Sequence, residues 1–245
     1  MVAARRGDLT KNVETAGPSF ARVAGLLPGV LLPGAFSLRL PPRNSHHSDM
    51  AFYERRLPHW DVIGQPMFVT FRLHGSLPSG RAFPPARLTS GQAFAAVDRL
   101  LDHATAGPLY LRQPEFARLV VQALRDGESR FQRYELHAFV VMPNHVHALV
   151  TPKVASREWL GPLKGFTGHE ANRILGLSGR PFWQDESYDH LVRNGQEFAR
   201  IQDYIECNPV KAGLAVSAEE YPWSSATPGG SPAARCAQHG QSLVG

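Results

Sequence analysis

The spacing of apolar residues predicts an α+β domain, an antiparallel sheet flanked by helices. Short β-branched runs with period-two alternation recur at 68–73, 134–142 and 145–151. The last two are joined only by Pro143-Asn144, so they must pair antiparallel. Longer stretches with apolar residues at helical spacing lie between and after these runs.

In chain order, Phe68 to Leu73 is a strand because Phe68, Thr70 and Arg72 alternate with Val69, Phe71 and Leu73. Gln92 to Ala106 and Gln113 to Gly127 read as helices, the first with Phe94, Val97 and Leu101 on one side. Tyr134 to Met142 is the second strand, Pro143-Asn144 the tight connection, and His145 to Thr151 the third strand. Residues 157–176 form a helix, Tyr188 to Arg193 a short strand and 195–207 a final helix.

Two features bear on chemistry. His145 and His147 alternate with Val146, Ala148 and Val150, so the imidazoles share one face of their strand while the apolar side chains fill a core on the other. Two imidazoles side by side suit a divalent cation. In the final helix, Phe198, Ile201 and Ile205 form the core stripe, and Tyr204 and Asn208 stand one turn apart on a common face. Pro209 is expected to end the helix there, with Asn208 pushed away from helical geometry and Gly213 supplying the turn.

The run Pro143-Asn-His-Val-His147, followed by Tyr204-Ile and then Asn208-Pro-Val-Lys-Ala-Gly213, resembles the HUH single-tyrosine transposases, and within them the REP-associated tyrosine transposases. Leu57-Pro-His-Trp60, Phe68 to Arg72, Leu163 to Thr167, Pro181 to Arg193 and Tyr221 to Ser225 fit the same pattern, so the resemblance covers roughly residues 52–226. It implies a ferredoxin-like, RRM-resembling HUH endonuclease fold. It also implies a metal-dependent nickase and strand transferase acting on single-stranded DNA in hairpin-forming repeats, as a monomer or homodimer. Tyr204 would be the nucleophile, and His145, His147 and Asn208 would hold Mg²⁺ or Mn²⁺. Lys164, Arg72 and Arg193 are candidate phosphate contacts, and His59 and Trp60 candidate contacts to a hairpin foot. For Trp183 and Trp223, core packing is the expectation over base stacking.

Composition sets looser bounds. The 245 residues, 43% hydrophobic and 19% charged, suffice for one domain with a full core plus tails. A catalytic domain is expected over 51–226, with a disordered extension over 1–50 and a disordered tail over 227–245. Met50 precedes the first family-like segment and is the expected natural start. The net charge of +5 is concentrated in the ends: residues 1–50 carry six Lys+Arg against three Asp+Glu, and the last twenty residues one arginine. The central region is therefore nearly neutral, and bulk charge is a weak argument for nucleic acid. No apolar run approaches the roughly twenty residues of a spanning helix, and a cytoplasmic location without membrane partners is expected.

Competing readings have sequence discriminators. A histidine-triad hydrolase needs a third alternating histidine where Leu149 stands, and a two-histidine phosphoesterase needs a second His-x-Thr/Ser strand that is missing. A plain metal-dependent nuclease has no use for Tyr204. A non-catalytic hairpin-binding descendant has no use for the histidines, tyrosine and asparagine together.

Overall fold

The computed structural model describes residues 51–54, 58–77, 89–104 and 107–226. The expected extension and tail lie outside them. The described elements are β1 (Ala51–Glu54), β2 (Pro58–Asp61), β3 (Met67–Arg72), α1 (Ser90–Asp102), α2 (Pro114–Ser129), β4 (Tyr134–Val141), β5 (His145–Pro152), α3 (Ser156–Leu175), β6 (Tyr188–Leu191) and α4 (Gly195–Lys211).

The main sheet has the order β4-β5-β3-β6, and every neighbouring pair is antiparallel. From β3 onward the chain runs strand, helices, strand, strand, helix, strand, with the first and third of these strands in the centre. That is the ferredoxin-like arrangement, so the expected α+β antiparallel sheet is the observed one. β1 and β2 form a separate antiparallel pair, with Phe52 opposite Trp60 and Tyr53 opposite His59. Among the described residues no helix is long and apolar enough to cross a membrane.

Period-two alternation gives each sheet face its own core. Met67, Val69 and Phe71 of β3 and Val146, Ala148 and Val150 of β5 pack with Phe116, Val120 and Leu124 of α2 and Trp159 and Leu163 of α3. Phe68 of β3, Leu149 of β5, and Ala138 and Val140 of β4 face the other way, onto Phe94 of α1 and Ile201 and Ile205 of α4. The second face also carries His145, His147 and Thr70, so α1 and α4 position whatever the histidines do.

Both helices of that face have side-chain caps. Thr89 accepts from the Gln92 N–H while the Gln92 side chain accepts from the Thr89 N–H, a reciprocal capping box at α1. Asn194 caps α4 by accepting from the Glu197 N–H.

α4 departs from expectation. It continues through Asn208 and Pro209 to Lys211, leaving Asn208 inside the helix. Pro209 gives up its own N–H and crowds the carbonyl one turn back, but the ladder resumes where the Ala212 N–H donates to the Asn208 carbonyl (3.0 Å). α1 ends at Asp102 rather than Ala106, closed by the His103 N–H on the carbonyls of Arg99 and Leu101.

One packing detail yields a paired test. Gly127 near the end of α2 lies against the Tyr134 ring, whose hydroxyl donates to the Leu124 carbonyl (2.7 Å). A methyl group there would overlap the phenol, whereas a methyl group at the exposed Gly165 in α3 meets open space. Urea unfolding is expected to show Gly127→Ala losing about 1–3 kcal/mol and Gly165→Ala gaining about 0.5–1 kcal/mol.

Candidate functional site

β5 enters the sheet with His145 opposite Arg72 and His147 opposite Thr70. Neither imidazole reaches solvent (0% exposed), and their Nε2 atoms are 3.0 Å apart. Buried polar rings need partners, and each Nδ1 has one. His145 Nδ1 lies 2.7 Å from Asn144 Oδ1, and His147 Nδ1 lies 2.7 Å from Thr70 Oγ1. Asn144 is oriented by its Nδ2, which donates to the Leu101 carbonyl of α1 (3.0 Å).

The helix that Asn144 anchors brings two carboxylates to the histidines. Asp98 Oδ1 is 3.2 Å from His147 Nε2 and 3.7 Å from His145 Nε2, and Asp102 Oδ1 is 3.7 Å from His145 Nε2. Burial, then the neighbouring His147, keeps the His145 imidazole neutral down to about 3. For Asp102, burial and the charge of Asp98 push the carboxyl up to about 7. Burial is the largest influence on Asp98 and opposes its ionisation, but His147, His145 and Lys211 together outweigh it and hold that carboxyl below its ordinary value.

α4 closes the site. The half-buried Tyr204 ring lies 5.6 Å from the His147 ring and edge-on to Phe68 (6.2 Å) and Phe94 (6.3 Å). Asn208, one turn on, is 1% exposed. Lys211 reaches back two turns to put Nζ 4.8 Å from the Tyr204 ring centroid.

The remaining candidates are dispersed. Arg72 shares the histidine face at the end of β3 and donates to Ser76 Oγ (3.2 Å). Lys164 of α3 is turned onto the carbonyls of Gln184 (2.7 Å) and Asp185 (2.8 Å). The backbone N–H of Arg193 donates to Glu197, which also pairs with His190 (3.0 Å). His59 and Trp60 lie in β2. Trp183 belongs to the core, its Nε1 donating to Thr167 Oγ1 (2.9 Å).

Asp98, Asp102 and Lys211 were not singled out from the sequence. Asp98 could have been found: Phe94, Asp98 and Leu101 fall at i, i+4 and i+7, so Asp98 interrupts the apolar stripe of an amphipathic helix, with Asp102 one turn further on. Lys211 lies seven residues after Tyr204, on the same side of α4.

The donor set fits a divalent cation. Ligand atoms of Asp98, His145 and His147 lie within 4.8 Å of one another. Asp98 Oδ1, Asp102 Oδ1 and Asn208 Oδ1 are buried without a hydrogen-bond partner, and a shared cation would satisfy such oxygens. Imidazoles with oxygen donors suit Mn²⁺ and, less strongly, Mg²⁺. Mn²⁺ is therefore expected to raise the melting temperature of the protein, with a concentration dependence set by its affinity. Asp98→Ala and His147→Ala should abolish the rise in a thermal-shift titration; a rise of the same size in both variants would assign the cation elsewhere.

No family model matches the chain. An Escherichia coli (strain K12) protein named REP-associated tyrosine transposase is 29% identical over 121 residues, which cover 46% of this chain and 69% of that protein. A Haemophilus influenzae protein provisionally given the same name is 26% identical over 104 residues, 38% of this chain and 58% of that protein. A solved structure of a REP-associated tyrosine transposase bound to a REP hairpin aligns with a TM-score of 0.45 and 19% identity, over 77% of this chain and 95% of that one. In sequence, this chain is a relative of the REP-associated tyrosine transposases.

Proposed function

We propose that this protein is a transposase-like strand transferase that binds hairpin-forming single-stranded DNA and cuts and rejoins it through Tyr204. The observation that carries this reading is the phenol of Tyr204 beside a buried cluster of His145, His147 and Asp98, its ring 5.6 Å from that of His147. A pure binding protein gains nothing from burying such a cluster, which costs desolvation without adding a surface for DNA. The hairpin-forming target is what the resemblance of the two motifs implies, and the relatives' names point to REP DNA.

The chemistry follows from the residue types. The Tyr204 oxygen attacks phosphorus, an O–P bond forms as the bond to the 3′ oxygen breaks, and the DNA leaves a free 3′ hydroxyl while its 5′ phosphate stays on the protein. A hydroxyl end attacking the phosphotyrosine reverses the exchange, so no external energy source is consumed. His145, His147, Asp98 and Asn208 would hold Mg²⁺ or Mn²⁺, which supplies polarisation of the phosphate and neutralises charge in the transition state. The rings of Phe68 and Phe94 hold the phenol in place. Lys211 and Arg72 bring positive charge beside the phenol and the histidines, favourable for a phosphate.

Incubation with hairpin oligonucleotides from the repeats flanking the gene, with Mn²⁺ or Mg²⁺, is expected to give a covalent protein–DNA adduct. Mass spectrometry should map it to Tyr204. Tyr204→Phe should remove it while leaving hairpin affinity within about fivefold, since one hydroxyl is worth about 1 kcal/mol or less in binding. Hairpin binding with no adduct under either metal would point to a non-catalytic binding protein, and cleavage without an adduct to a hydrolytic nuclease.

A further inference from the structure

The two histidines are held by chemically different partners. We infer that Asn144 and Thr70 are positioning residues that set the tautomers of the pair: Asn144 locks His145 with Nε2 bare, whereas the Thr70 hydroxyl lets His147 change tautomer when a divalent cation binds. The first half concerns the metal-free protein; only the second rests on the cation site proposed above.

The constraint on His145 starts at α1. The Leu101 carbonyl can only accept, so the Asn144 atom 3.0 Å away is the amide nitrogen. Asn144 Oδ1 therefore faces His145 Nδ1 at 2.7 Å, and an amide oxygen cannot donate. The ring proton of neutral His145 is thus on Nδ1, leaving its Nε2 lone pair pointing at His147. The amide is 1% exposed, so water offers no alternative partner.

His147 is constrained from the opposite side. Its Nε2 faces the bare Nε2 of His145 at 3.0 Å and the Asp98 carboxylate at 3.2 Å, both acceptors. In the metal-free protein its proton belongs on Nε2, and Thr70 Oγ1 then donates to its Nδ1 at 2.7 Å. A cation bound by both histidines needs both Nε2 lone pairs. His147 must then lose the Nε2 proton and gain one on Nδ1, with no net change in ring charge. A hydroxyl can reverse from donor to acceptor by rotation, which an amide oxygen cannot. Asn144 also pins the end of α1, the helix that carries Asp98 and Asp102, so one side chain orients the first ligand and tethers the acids.

The test is ¹⁵N NMR of the histidine rings in the full chain at about pH 8, above the ordinary imidazole range. Spectra are recorded metal-free and then with Zn²⁺ alone as a diamagnetic probe, and Mn²⁺ affinity is measured by electron paramagnetic resonance. The metal-free protein should show His145 as the Nδ1–H form and His147 as the Nε2–H form, with both becoming Nδ1–H in Zn²⁺. Asn144→Ala should release His145 into a mixture of forms and weaken Mn²⁺ binding about 10–100-fold. Asn144→Asp, which keeps an acceptor, should restore the His145 tautomer. Thr70→Val should leave His145 as it was and weaken Mn²⁺ binding. A metal-free His145 carrying its proton on Nε2 overturns the Asn144 assignment without need of any variant, and so does Asn144→Ala with tautomer and affinity unchanged. Ring signals untouched by Zn²⁺ overturn the Thr70 half together with the cation site, while a metal-free Nδ1–H form of His145 still supports the Asn144 half.

Discussion

Burying the His145–His147 pair under α1 and α4 imposes a polar debt on a face of the sheet that is otherwise apolar, and much of the local architecture answers it. Each ring nitrogen that points away from the cluster meets a dedicated oxygen, from Asn144 or from Thr70. The nitrogens that point inward meet each other and the carboxylates of α1. Such a cluster is unfavourable when empty of charge compensation, because like-charged acids and desolvated rings are crowded together. A divalent cation removes both penalties at once, and so the same geometry that is awkward for a core is suitable for a cofactor.

The two sheet faces divide the work. The face covered by α2 and α3 is a conventional apolar core in which Trp159, Phe71 and Leu124 are almost wholly buried. The face covered by α1 and α4 mixes aromatic packing with titratable groups, and its aromatics serve a second purpose. Phe68 packs against Phe94, His147 and Tyr204, so the strand that aligns Thr70 with His147 also fixes the distance from the histidines to the phenol. Preorganisation of this kind lowers the cost of reaching a reactive geometry.

Much of this was legible in the sequence, for identifiable reasons. Strands β3, β4 and β5 announce themselves by alternation, and the two-residue turn at Pro143-Asn144 dictates their pairing. The histidine face followed from the same alternation. Tyr204 and Asn208 were placed on one helix face by their spacing. What failed was local chemistry whose outcome depends on tertiary context. Pro209 reads as a helix stop, yet α4 tolerates it because the turn leading into it, Ile205 to Asn208, is buried and holds the helix in place. Asp98 stands on the apolar side of α1, but that it meets the histidines shows only once the fold turns that side toward β5. The role of Asn144 was hidden because its partners are a neighbouring ring and a carbonyl forty-three residues earlier in the chain.

The central claim is that His145, His147 and the carboxylate of Asp98 hold a divalent cation beside Tyr204. The most direct measurement is anomalous diffraction from crystals of the protein soaked in Mn²⁺. The account predicts a single strong peak between the two Nε2 atoms and the Asp98 carboxylate, on the Tyr204 side of β5. A peak bound elsewhere with the histidine cluster left empty, at a Mn²⁺ concentration that saturates binding in solution, would contradict it.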